Sequence, residues 1–113
     1  MHEYSIVQAL VERVGAEARA RRATAVHRLS VRIGELSGVE VNLLTAAYET
    51  FRDRTICEGA ELDVQIVAAR WECPACGRAI GRGDLLSCPM CSVPARLAQG
   101  DEIMLDRIEM EVP

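Results

Sequence analysis

Along residues 3–21 the apolar positions recur with helical spacing. Ile6, Leu10 and Val14 fall at i, i+4 and i+8, and Val7, Val11 and Ala18 widen the stripe. Glu12, Arg13, Glu17, Arg19 and Arg21 fall on the other side, so the pattern predicts an amphipathic helix. The period then drops to two. In VHRLSVRIGEL (26–36), Leu29, Val31 and Ile33 alternate with Arg28, Ser30 and Arg32, which marks a half-buried strand. Helical spacing returns over 37–54 through Leu44, Ala47, Tyr48 and Phe51. Ser37 is the expected N-cap, with Glu40 three positions on as in a capping box. AELDVQIVA (60–68) alternates again, with Leu62, Val64 and Ile66 on one face. From 71 to 99 periodicity disappears. It resumes in DEIMLDRIEMEV (101–112), where Ile103 and Leu105 keep one phase and Ile108, Met110 and Val112 the other, so a β-bulge is expected near Asp106 and Arg107.

These elements predict an α+β fold: two helices packed on a three-stranded sheet, with an inserted zinc-ribbon-like lobe. The expected division is a core of residues 1–70 and 100–113 and a metal-held lobe of residues 71–99. A chain of 113 residues suits one core with a small appendage. A formal net charge of −4 opposes a nucleic-acid partner, which needs a basic footprint to neutralise phosphates. Aromatic residues for base stacking are scarce: Tyr4, Tyr48, Phe51 and Trp71 are all of them. No apolar run approaches the roughly 20 residues that span a bilayer, and no secretory leader pattern is present. A cytoplasmic protein without a membrane partner is expected.

Five cysteines fall at 57, 73, 76, 88 and 91. In a reducing compartment, clustered thiols are metal ligands more often than disulfides. CPAC (73–76) and CPMC (88–91), separated by eleven residues, let Cys73, Cys76, Cys88 and Cys91 converge tetrahedrally on one Zn²⁺. A lobe this small buries too little apolar area to fold alone, so the metal supplies much of its folding free energy. Four thiolates leave no open position for hydrolytic chemistry. A thioredoxin-like redox reading suits one CPAC pair but not two matching pairs. Arg70, Arg78, Arg82 and Arg96 are available to offset the charge of such a centre, although a solvated arginine face is the commoner arrangement. Cys57 reads as a small buried hydrophobe, and His27, in register with Leu29, Val31 and Ile33, as a partly buried, satisfied histidine.

The opening MHEYSIVQAL offers a second metal chemistry. Met1 is expected to be retained, because a bulky second residue disfavours its removal. The Met1 amine and His2 amide nitrogens then close a five-membered chelate ring, and the His2 amide and its Nδ1 a six-membered one. Three nitrogens in a plane suit a square-planar ion such as Ni²⁺ or Cu²⁺. The first amides of a helix lack intrahelical acceptors, so this N–H can be surrendered without breaking the ladder. The Glu3 carboxylate reduces the positive charge there, while the Glu3 amide cannot simply complete the plane. A frayed polar terminus is the plainer reading of the same residues.

MHEYSIVQAL, VRIGELSGVE, LLTAAYETF, the paired CPAC and CPMC and the closing QGDEIMLDRIEMEV together resemble the HypA/HybF family of hydrogenase-maturation nickel metallochaperones, over essentially the whole chain. The resemblance implies a non-enzymatic carrier of Ni(II) for [NiFe] hydrogenase and, in some organisms, urease. It implies nickel at His2 with the Met1 terminus, beside which the residue reading adds Glu3 for charge compensation, and structural zinc at Cys73, Cys76, Cys88 and Cys91. The implied partners are a maturation GTPase and the hydrogenase large-subunit precursor, with the carrier a monomer or weak homodimer. Some members carry histidines beside the knuckles, where this chain has Gly77 and Ser92. A zinc-ribbon interaction or nucleic-acid-binding module is the alternative from another class.

Overall fold

The computed structural model describes residues 2–81, 83 and 85–113, with His2 described for its backbone alone. Its elements run α1 (His2–Ala20), β1 (Ala25–Gly34), α2 (Val41–Phe51), β2 (Glu61–Val67), β3 (Arg70–Glu72), β4 (Ala79–Ile80), β5 (Arg96–Gln99) and β6 (Ile103–Glu111). The fold is α+β. One sheet has the order β2-β1-β6, with β1 parallel to β2 and antiparallel to β6. Parallel neighbours need a crossover, and α2 supplies it between β1 and β2. A second, small sheet has the order β4-β3-β5.

The core forms where the apolar stripe of α1 meets the apolar face of β1. Val7, Leu10, Val11, Val14 and Ala18 of α1 cluster with Leu29, Val31 and Ile33 of β1 and with Leu44 and Tyr48 of α2. Full burial of one such aliphatic side chain contributes about 1.5–3 kcal/mol, so this seam carries most of the hydrophobic stabilisation. Glu3 in the first turn of α1 and Arg19 in its last complement the helix dipole.

The bulge expected near Asp106 is present: Ser30 faces Arg107 and Val31 faces Leu105, leaving Asp106 without a partner position. A second register shift lies between Val26 and Arg28 and corrects the reading of His27. The shift leaves Val26 and Leu29 buried three residues apart and turns His27 outward, where Nε2 lies 2.9 Å from Glu111 Oε1. The helix start is corrected as well. Gly38 has φ +81°, which ends the turn after β1, and α2 begins at Val41 with Glu40, not Ser37, as N-cap. The β4-β3-β5 sheet was invisible to periodicity because strands of two to four residues are too short to alternate legibly.

The small sheet joins the large one through tight backbone packing. Leu36 N donates to Gly100 O at 2.7 Å, Gly34 N to Glu102 O at 2.8 Å and Glu35 N to Val67 O at 2.8 Å. The segments entering and leaving the four-cysteine region are thus both tied to the turn after β1.

Candidate metal centre

Two knuckles of near-identical backbone build the four-cysteine site. In the first, Gly77 N donates to Cys73 O at 2.8 Å and Cys73 N to Arg78 O at 2.9 Å. In the second, Ser92 N donates to Cys88 O and Cys88 N to Val93 O, both at 2.9 Å. Each turn reverses at a left-handed residue, Gly77 at φ +77° and Ser92 at φ +56°. Backbone amides point at the sulfurs: Ala75 N and Cys76 N lie 3.3 and 3.4 Å from Cys73 Sγ, and Cys91 N lies 3.3 Å from Cys88 Sγ. Trp71, Ile80, Val93 and Ala95 pack around buried Cys73 and Cys88.

The Sγ atoms of Cys73, Cys76, Cys88 and Cys91 all lie within 4.8 Å of one another. Cys76 Sγ and Cys88 Sγ are 3.9 Å apart. A tetrahedron of sulfurs at zinc-thiolate bond lengths has edges of about 3.8 Å, so the donor set fits a tetrahedral thiophilic ion such as Zn²⁺. The electrostatics agree. The amides of Cys76 and Ala75 lower the Cys73 thiol to about 6, against the cost of its burial. Hydrogen bonds to the sulfurs of Cys76, Cys73 and Cys88 push Cys91 up to about 12, and burial and the charge of Cys73 add to the rise. Among the described residues this is the single group of three or more His, Cys, Asp or Glu side chains placed to share an ion.

The other sequence-predicted residues fall elsewhere. Arg96 pairs with Glu72 on the adjacent strand, and Arg82 lies outside the described residues. Cys57 is fully buried in the main core, where burial pushes its thiol up, as suits an inert packing residue. Beside it, Tyr48 Oη donates to Ala60 O at 3.0 Å.

The nickel expectation falls on Met1 and the His2 side chain, both outside the described residues. Glu3 is described, and it is engaged: Oε2 accepts from the backbone N of Glu40 at 3.1 Å. Glu40 caps α2 in turn, with Oε1 3.3 Å from Asn42 N and Oε2 3.1 Å from Leu43 N. The fold therefore brings the backbone of Glu40, the N-cap of α2, to the first turn of α1. Sequence reading missed it because the Ser37–Glu40 spacing resembled a capping box, which would have aimed Glu40 back at Ser37.

An α+β core with an inserted four-thiol centre defines a small protein with a four-cysteine site able to hold a metal ion. The family described as hydrogenase/urease nickel incorporation, metallochaperone, HypA, matches residues 1–110. The chain belongs to this HypA family. It is 39% identical over 114 residues to the hydrogenase maturation factor HypA of Aquifex aeolicus, covering 99% of both chains. The corresponding protein of Shewanella baltica is 37% identical, covering 98% of this chain and 97% of that one. The solution structure of the Ni metallochaperone HypA from Helicobacter pylori is similar with a TM-score of 0.76 and 30% identity, covering 98% of both chains. The family role is that of a nickel metallochaperone in hydrogenase maturation, a non-catalytic one.

Proposed function

We propose that this protein binds Ni(II) at its N-terminus and releases it, with a maturation GTPase, to the hydrogenase large-subunit precursor. Urease is a further client in this reading, and the cytoplasm is the setting. The observation that carries it is the match to the nickel-incorporation family over residues 1–110, joined to a four-thiol centre in which the sulfurs lie within 4.8 Å. The Met1 amine, the His2 amide and His2 Nδ1 supply three nitrogen donors in a plane, and Glu3 compensates charge beside them. An incomplete plane holds the ion while leaving a position for an incoming ligand, so the chemistry is ligand exchange. Residues 71–99 form a lobe in which Cys73, Cys76, Cys88 and Cys91 hold Zn(II), whose contribution is folding free energy. Residues 1–70 and 100–113 form the nickel-carrying core of a monomer or weak homodimer.

The test is a nickel titration of the chain with an unextended N-terminus, beside His2→Ala and a variant with one residue added before Met1. The extension converts the amine into an ordinary amide, and His2→Ala removes the imidazole. Both are expected to weaken nickel binding by orders of magnitude with zinc content unchanged. Nickel affinity that survives in both would place the cargo elsewhere.

A further inference from the structure

A cleft of about 570 Å³ lies between the C-terminal half of α1 and Thr55–Ile56 after α2. Its lining is mainly apolar, with Val11, Gly15, Ala18, Ala23 and Ile56 among the residues. Three choices of residue around it work against the fold. Gly15 sits in the interior of α1, where glycine disfavours helix. The neighbouring structure does not require it: an added Cβ would meet only Arg19 Nη1, at 3.4 Å, the far end of a flexible side chain.

Arg22, on the rim, occupies the left-handed position of a Schellman turn at φ +55°, with Ala23 N donating to Ala18 O at 2.8 Å. Arg54, next to the cleft residue Thr55, is also left-handed, at φ +63°. Glycine takes such positions without steric cost and arginine does not. Where several local choices oppose the fold at one place, the usual cause is function.

The charge of the cleft is the second observation. In a chain of net charge −4, Arg19 and Arg22 both line this cleft. Neither side chain has an acidic partner among the described residues, in contrast to Arg21, which pairs with Glu17 at 3.5 Å. The dipole of α1 accounts for a cation near its C-terminus, but not for a mainly apolar lining that includes a helical glycine. Glu12 also lines the cleft, about one turn before Gly15 on α1.

We propose that this cleft docks an acidic, apolar-anchored helix of a partner protein. A large aliphatic side chain seats over Gly15, and carboxylates meet Arg19 and Arg22. Apolar anchors in a pocket give affinity, and the flanking charges give orientation. Glu12 fixes the polarity by repelling an acidic residue placed at the wrong end. The net charge of the chain disfavours an anionic membrane as the occupant.

The zinc-loaded full chain is titrated with an amphipathic peptide of leucine anchors flanked by glutamates, with Gln-for-Glu and Lys-for-Glu counterparts and phosphatidylglycerol vesicles alongside. Backbone amide shifts of Gly15, Ala18, Ala23 and Ile56 are followed. The glutamate peptide is expected to shift these four saturably and to weaken as salt rises. Arg19→Gln/Arg22→Gln is expected to weaken it by about tenfold. Gly15→Ala is expected to raise thermal stability, by helix propensity, and yet to weaken the peptide, two signs that a packing role does not combine. The proposal is overturned by equal binding of the Gln or Lys peptide, by the absence of saturable shifts at these amides, by unchanged binding to Gly15→Ala, or by vesicles moving these amides where the glutamate peptide does not.

Discussion

The carboxylate of Glu3 accepts a hydrogen bond from the backbone N–H of Glu40, at 3.1 Å across 37 positions of sequence. Glu40 then spends its own carboxylate on Asn42 N and Leu43 N. The first turn of α1 and the N-cap of α2 are therefore one hydrogen-bonded unit. Two carboxylates near two helix N-termini satisfy orphan amides and oppose the positive ends of both dipoles. For a terminus proposed to hold a cation, the consequence is positional: Glu3 anchors the first turn to the second helix.

Glu3→Ala removes that anchor and is expected to cost about 0.5–1.5 kcal/mol, the usual net worth of one intramolecular hydrogen bond. Glu40→Ala removes the cap of α2 and is expected to cost about 1 kcal/mol, with Glu40→Ser recovering most of it. Because the cap orders the same backbone N–H that Glu3 meets, the double variant is expected to lose less than the sum, by about 0.5 kcal/mol. Urea unfolding of the four proteins measures this. Strict additivity would show that the two carboxylates act independently.

The four-thiol centre sets a different expectation. Cys88→Ala leaves three sulfurs and opens the buried middle of the small cluster formed with Cys73 and Ile80. Zinc content is expected to fall, and the amides of residues 71–99 to lose dispersion. Those of β1 and α1 hold, because the main core shares no buried residue with that cluster. Chelation of the wild type should reproduce the pattern. A variant that kept one equivalent of zinc at wild-type affinity would sink the four-thiolate assignment.

Proton competition at that centre has a sign fixed by the sulfurs themselves. Where the knuckles keep their folded turns before an ion arrives, the amides of Cys76 and Ala75 lower the Cys73 thiol to about 6, and hydrogen bonds to the neighbouring sulfurs raise Cys91 to about 12. At pH 7 Cys73 is already ionised and releases no proton when zinc binds, whereas Cys91 must release one. Affinity therefore rises with pH through the neutral range. It falls more steeply below about pH 6, where Cys73 also has to be deprotonated. Competition titrations against a chelator across pH 5 to 8, roughly that window, check the change of slope. A slope that stayed constant through the range would contradict the low Cys73 value.

Much of this was legible in the chain because it rests on period or on spacing. The stripe Ile6–Leu10–Val14 widened by Val7, Val11 and Ala18, the alternation Leu29–Val31–Ile33 and the phase slip at Asp106 are local patterns that the structure reproduces, with Ile6 only partly buried at the stripe's edge. The paired CPAC and CPMC were legible because two short turns converge their sulfurs whatever the surroundings do. His27 was misread because a one-residue slip inverts the facing of a strand, and nothing local announces a slip beyond the phase of Val26. Glu40 was misread because its partner Glu3 is distant in sequence and lies on another helix. The β4-β3-β5 sheet and the cleft beside Gly15 depend on contacts between segments that no window of the sequence contains.

The joint between the two sheets yields the sharpest stability prediction. A Cβ added to Gly34 would lie 2.2 Å from both the C and O atoms of Gly100, and one added to Gly100 would lie 2.5 Å from Ala69 Cα. These are backbone atoms held by the bonds from Leu36 N to Gly100 O and from Gly34 N to Glu102 O, so they cannot move aside singly. Gly100 also sits at φ +116°, which an alanine adopts poorly. Gly59, by contrast, has no atom within 4 Å of an added Cβ. Gly34→Ala is expected to lower stability by about 1–3 kcal/mol, the range for forcing a methyl into filled space. Gly59→Ala should stay within about 0.5 kcal/mol of wild type. The strain should also be visible in its location: amide shifts at Glu35, Ala69 and Gly100 move in Gly34→Ala, while those of Val7 and Val14 in the main seam hold. A Gly34→Ala protein that unfolds at the same urea concentration as Gly59→Ala would mean that the joint is loosely packed and that the small sheet is free to swing on it.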